Sequence, residues 1–183
     1  MRLGWWIALS MLTSACSTSG GSDAGSVNPP TDPPTQPAQG TIDGYPFSVV
    51  TSYAFWSKSG KTLWIELESY PDNCTQQQIP PDRATVIGIE VPQAMLTPGK
   101  YNVQPGSYLV DPGFMTLSAA TYPYNDAGLP TNWIADVGSG VVWITSATPT
   151  TVTGAFWVNA LKVVASGTFS APICGGAADA GAD

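Results

Sequence analysis

The sequence predicts an all-β fold, an antiparallel β-sandwich or small β-barrel of about seven to eight strands, on three observations. Short runs rich in Val, Ile, Thr and aromatics recur along the chain, and no window carries a 3.6-residue period. Turn formers are abundant, with 19 Gly and 17 Pro in 183 residues. Charged residues are sparse at 10%, against roughly 25% in an average soluble protein, which leaves little material for a solvated helix face.

The runs expected as strands are Phe47 to Trp56, Thr62 to Tyr70, Ala84 to Val91, Phe114 to Tyr122, Val141 to Ser146, Val152 to Val158 and Lys162 to Ala171, with an eighth around Tyr101 to Val103. Between the first two stands "SKSGK", between the fifth and sixth "TPT", and between the sixth and seventh "NAL". Such short connections suit antiparallel hairpins. The last pair repeats a motif, Gly154-Ala155-Phe156 and Gly167-Thr168-Phe169. A glycine inside a strand marks a bulge or a close approach, so each is read as leaving room for an aromatic ring of the facing strand. Pattern alone leaves sandwich and barrel both open.

A chain of this length holds one domain with a real core, expected over residues 41–174. Residues 16–40 include "STSGGSDAGSVNPPTDPPTQPAQG", which is polar and nearly free of large aliphatics. Such a segment buries too little apolar surface to order itself and reads as a disordered stalk, flexible in its Gly/Ser part and extended in its Pro part. Residues 175–183 form a second low-complexity, acidic tail.

Residues 1–15 carry Arg2, an apolar stretch from Leu3 to Leu12 and the small residues Thr13, Ser14 and Ala15. That is the layout of a signal peptide, too short to span a bilayer as a helix. The cysteine that follows, Cys16, resembles the lipobox of bacterial lipoproteins, although Thr13 stands where that family most often has leucine. The resemblance implies a diacylglycerol on Cys16, membrane attachment as the first partner, and, from Ser17, retention at the outer membrane. Cleavage after Ala15 without lipidation is the alternative. If Cys16 is acylated, the two remaining cysteines form an even set in an oxidising compartment, and a Cys74–Cys174 disulfide is expected.

Composition excludes several chemistries. With 6 Lys+Arg against 13 Asp+Glu the chain has a formal charge of -7, the wrong sign for nucleic acid. Histidine is absent, so no Ser-His-acid triad and no histidine metal ligand exists. Gly60-Lys61-Thr62 lacks the leading glycine of a phosphate loop, since Phe55 stands there, and "DVGSG" around Ser139 lacks the glycine of a nucleophile elbow. Asp72, Asp111, Asp126 and Asp136 have no calcium-loop spacing. No cofactor and no metal is expected, and the chain is read as a non-enzyme. Glu66 and Glu68 share one face of their strand and are read as its solvated side. A histidine-free carboxylate glycosidase using Glu66, Glu68 or Glu90 is the catalytic alternative.

Tryptophan carries the functional expectation. Trp64 alternates with Leu63 and Ile65 and so points away from the core, and Trp157 is opposite in parity to Phe156 and Val158. Trp64, Trp157 and Trp143 are candidate stacking surfaces for a ligand, with Glu66, Glu68 and Asn159 as hydrogen-bonding partners. Either they form an exposed platform, or residues 92–113 and 123–140 fold over them. The expected role is a non-catalytic binding or structural one at the cell envelope, a carbohydrate-binding module or an envelope protein-interaction domain.

Overall fold

A computed structural model describes residues 28–75, 78–104, 114–124, 130–134, 137 and 139–175. Residues 1–27, with the expected signal peptide and Cys16, lie outside the described residues, as does the tail from residue 176. The fold is all-β. Its strands are β1 (Gln39–Ile42), β2 (Tyr45–Ser48), β3 (Thr51–Trp56), β4 (Thr62–Glu68), β5 (Ala84–Pro92), β6 (Gly99–Val103), β7 (Thr116–Tyr124), β8 (Pro130–Ile134), β9 (Gly140–Ala147), β10 (Thr151–Ala160) and β11 (Val163–Cys174). A single 3-10 turn, Gln93–Met95, and no α-helix appears among the described residues.

The strands form one curled sheet in the order β6-β9-β10-β11-β3-β4-β5-β7-β8, with β1 beside β11 and β2 beside β1. The purely antiparallel arrangement expected from the hairpins does not hold, because β11 runs parallel to β3 through Ile173↔Ala54 and Cys174↔Phe55. Hairpin spacing determines how neighbours in sequence pair, but this contact joins strands more than a hundred residues apart. β11 is 12 residues long and serves both halves: its start pairs with β1 and its end with β3.

The run from Phe47 to Trp56 is likewise two strands. β2 pairs with β1 and β3 with β4, and the chain changes partner at Val49 and Val50, whose amides donate to the carbonyls of Ala38 (3.0 Å) and Glu68 (2.8 Å). Two strands lie outside the expected set. β8 pairs with β7, and β1 forms a hairpin with β2 across Asp43-Gly44. Both turn residues have positive φ, 50° and 82°, the geometry of a two-residue type I′ turn, for which Asp-Gly is a favoured pair. The folded part therefore begins before Thr41: Ala38 is 1% exposed, and its segment belongs to the domain rather than to a stalk.

Alternation places Leu63, Ile65 and Leu67 of β4, Ile87, Ile89 and Val91 of β5, Val142 and Ile144 of β9, and Phe156 of β10 in one core on the concave side. The repeated glycine motif is structural. Gly154 pairs with Phe169 and Phe156 with Gly167, so each glycine faces the other motif's phenylalanine. A Cβ on Gly154 would stand 2.2 Å from the Trp143 carbonyl and 2.7 Å from the Phe169 ring. At Gly167 the space is taken by backbone, with Ala38 Cα 2.2 Å from any added Cβ. The Cys74–Cys174 disulfide is formed, with Cα atoms 5.1 Å apart across 100 residues. It fastens the β4–β5 connection to the end of β11.

Candidate functional site

Beside this disulfide the convex face of β3 and β4 carries a tyrosine–carboxylate cluster. Cross-strand pairing sets Tyr53 against Glu66 and Phe55 against Trp64. Tyr53 donates to Glu66 Oε2 at 2.7 Å, while Glu68 Oε1 stands 3.1 Å and Asp72 Oδ2 3.5 Å from the same hydroxyl. Tyr70 donates to Glu68 Oε1 at 3.0 Å. Asp72 is held in turn: its Oδ1 accepts from the amides of Asn73 (2.7 Å) and Gln78 (3.1 Å), and its own amide donates to Thr51 Oγ1.

This overturns the reading of Glu66 and Glu68 as a solvated strand face. Glu68 is 2% exposed, its Oε2 is buried without a hydrogen-bond partner, and Glu66 is half-buried. Two-residue alternation correctly separates these acids from the leucines, but it cannot say that tyrosines from β3 and from the end of β4 will close over them. Among the described residues no lysine or arginine pairs with Glu66, Glu68 or Asp72; the ion pairs join Lys162 to Asp43 and Arg83 to Asp82.

Burial without a counter-charge penalises ionisation. Burial pushes the Glu68 carboxyl up to about 7, against the lowering effect of the Tyr70 and Tyr53 hydrogen bonds, with repulsion from Asp72 and Glu66 adding to the rise. Glu66 is raised by burial too, partly offset by the Tyr53 hydrogen bond. Burial and the neighbouring carboxylates raise both phenols, so Tyr53 and Tyr70 remain proton donors. Tyr53 has one hydrogen to give. With that hydrogen on Glu66, its 3.1 Å contact with Glu68 is favourable when Glu68 itself carries a proton, and geometry agrees with the raised carboxyl.

An open cleft of about 300 Å³ adjoins the cluster, lined by Thr51, Ser52, Tyr53, Asp72, Asn73, Cys74, Thr75 and Pro172. Beyond Tyr53 the aromatic row continues. The Tyr53 and Phe55 rings are 6.3 Å apart and tilted by 30°, and Phe55 and Trp64 stack at 6.2 Å with planes 13° apart. Phe55 and Trp64 are both half-buried and form an aromatic shelf. Glu90 pairs with Trp64 across β4 and β5 but is 6% exposed, and burial raises its carboxyl against a hydrogen bond with Thr116.

Of the residues singled out from sequence, Trp64, Glu66 and Glu68 come together here. Trp143 and Trp157 do not join them. They form a separate convex cluster with Val141 and Ala155, Trp143 being 7% exposed and Trp157 half-buried, with Asn159 half-buried two residues beyond. Trp157 pairs with Ser166, whereas β3 meets β11 at Ile173, a separation of about 23 Å along the strand at ~3.3 Å per residue. The surface is therefore two aromatic patches rather than one platform. Sequence reasoning missed Tyr53, Phe55 and Tyr70 as site residues; Tyr53 and Phe55 share a parity in β3, but nothing in that strand shows which neighbour they would face.

Among the described residues no group of His, Cys, Asp and Glu side chains is arranged to hold a metal ion, and no helix is long and apolar enough to cross a membrane. No protein-family model, curated protein or solved structure is similar enough to match this chain.

Proposed function

We propose that this chain is an exported domain, lipid-anchored through Cys16 at the outer membrane, with a non-catalytic binding role at the cell envelope. Carbohydrate is the ligand class that the site suits. The observation that carries this reading is the half-buried, stacked Phe55–Trp64 pair beside Glu66 and the Asp72 cleft. A pyranose presents an apolar C–H face to an aromatic ring and hydroxyls at its rim, which carboxylates and tyrosines accept or bridge. We further read the curled sheet as an incompletely closed barrel, its convex face providing the binding surface.

Binding is favoured over glycoside cleavage by the placement of the acids. Glu66 and Glu68 share one tyrosine hydroxyl rather than flanking a gap for a scissile bond, and Glu68 is buried beneath that hydroxyl. Partner-protein docking on the same shelf is the second reading, because a stacked pair of half-buried aromatics also suits a protein contact.

Tryptophan fluorescence of the mature chain, titrated with a panel of envelope and environmental glycans, tests the ligand class. A binding glycan should shift the emission of the wild type, with Trp64→Ala weakening binding about tenfold, the equivalent of ~1.4 kcal/mol. If no glycan perturbs the wild type, the carbohydrate reading is lost and the protein-docking reading replaces it. Cleavage of a bound glycan would refute the non-catalytic role. Mass spectrometry of Cys16 from the membrane fraction tests the anchor, and an unmodified cysteine would overturn it.

A further inference from the structure

The second aromatic patch has a different occupant. Pairing sets Lys100 of β6 against Trp143 of β9, Trp143 against Ala155 of β10, and Ala155 against Thr168 of β11. These four residues make one row across the convex face. At one end the Lys100 ammonium lies 5.3 Å over the Trp143 ring and donates to the Pro30 carbonyl at 2.9 Å. At the other end the Thr168 amide and hydroxyl both reach the Gln36 carbonyl, at 2.8 and 3.3 Å. Pro37 bridges to Thr168, Ala38 is 1% exposed, and Gly167 lets the Ala38 backbone approach.

The segment "NPPTDPPTQP" is therefore pinned at both ends of the row and has to cross it. Three strand spacings come to about 14 Å at ~4.8 Å each, and the six steps from Pro30 to Gln36 reach about 19 Å in an extended polyproline conformation at ~3.1 Å per residue. The chain is long enough to cross the row even with its bends at Thr31, Asp32 and Gln36. Pro30 and Pro34 are half-buried while Pro29, Thr31, Asp32 and Pro33 are exposed, so the segment has a sheet side and a solvent side. Trp143 is 7% exposed although it lies on the face opposite the main core.

We infer that the Lys100–Trp143–Thr168 row is a binding site for a proline-rich peptide, filled by residues 28–38 of the same chain. Proline fixes φ before docking, so little conformational freedom is lost. Half of the ten residues in this segment are prolines without a backbone donor, which matches a site that contributes its own donors, Lys100 Nζ and Thr168 N, to the peptide's carbonyls. An aromatic floor under a proline-rich strand is a recurring recognition mode. The inference uses neither the Trp64 shelf nor the anchor, so its failure and theirs are separable.

The test uses the full mature chain and a variant in which Pro29, Pro30, Pro33 and Pro34 are replaced by Gly. The reporter is the Trp143 indole N–H resonance, assigned through Trp143→Phe, together with its hydrogen exchange. In the wild type that proton should be protected to the same degree at micromolar and millimolar protein concentrations. In the glycine variant protection should fall at least tenfold, with the other indole resonances and the strand amides unchanged. Synthetic NPPTDPPTQP should then restore it saturably, and should fail to do so when Lys100→Ala is added. Unchanged protection in the glycine variant, or no rescue by the peptide, would overturn the inference. Protection that appears only at high concentration would overturn it as well, because the occupant would then be the segment of a second copy.

Discussion

Replacing Glu68 by glutamine should flatten the pH dependence of folding stability. The wild-type carboxyl is pushed up to about 7 by burial, whereas the unfolded chain releases that proton in the ordinary carboxylate range near 4.5. Between those limits the folded state holds a proton that the unfolded state has lost, so stability is fully present below about pH 4.5 and declines as pH rises toward 7. At ~1.36 kcal/mol for each pH unit the full effect would be ~3.4 kcal/mol. Solvent reaches one side of the cluster through the cleft, and screening reduces this to ~2 kcal/mol. Glutamine keeps an oxygen for Tyr53 and Tyr70 but has nothing to ionise. Urea unfolding of the oxidised chain at several values from pH 4.5 to 7.5 should therefore show the wild type losing about 2 kcal/mol and Glu68→Gln losing less than half as much. Glu66, raised in the same direction, accounts for the remainder. The exposed acid Asp82, changed to Asn, controls for bulk charge. A wild type that gains stability over this range, or a Glu68→Gln variant with the wild-type slope, would refute the assignment of the proton to Glu68.

Two further perturbations address the frame that holds the site. Reducing Cys74–Cys174, or replacing both cysteines by serine, opens a loop of 100 residues and should cost up to ~4.7 kcal/mol in the chain-entropy model, read as a lower urea midpoint; an unchanged midpoint would mean that the β4–β5 connection is held without it. Gly167→Ala places a Cβ against the Ala38 backbone at a residue whose φ is 148°, and should destabilise by about 1–3 kcal/mol while raising amide exchange at Thr168, whose partner is Gln36. Wild-type exchange at Thr168 would show that the 36–38 segment does not depend on this close approach.

Much of this architecture follows from the sequence alone, and the part that does is local. Two-residue alternation in "TLWIELE" puts Leu63, Ile65 and Leu67 on one side and Trp64, Glu66 and Glu68 on the other, and the structure keeps that division. The paired glycine motif accounts for Gly154, which leaves room for the Phe169 ring, but not for Gly167, whose space is taken by the Ala38 backbone and not by an aromatic ring. The Asp43-Gly44 turn between β1 and β2 was available in the same way, because both turn residues suit positive φ; the proline-rich stretch before it draws attention away from a strand only four residues long. The even pair of downstream cysteines, once Cys16 is set apart, is enough to expect their bridge.

What the tertiary structure alone decided is which distant surfaces meet. Alternation assigns a residue to a face, but burial depends on what comes over that face, and tyrosines from β3 and from the end of β4 turn an expected solvated pair of acids into a buried cluster with one shared hydroxyl. The same limit applies to tryptophan: Trp64, assigned away from the core, is half-buried beside Phe55, while Trp143, to which alternation gave no face, is 7% exposed, in a row pinned at both ends to the proline-rich segment. The parallel join of β11 to β3 has no local signature either, since backbone hydrogen bonding is indifferent to sequence and the pairing is selected by the closure of the whole sheet. Side-chain period is a property of the chain; solvent exposure is a property of the fold.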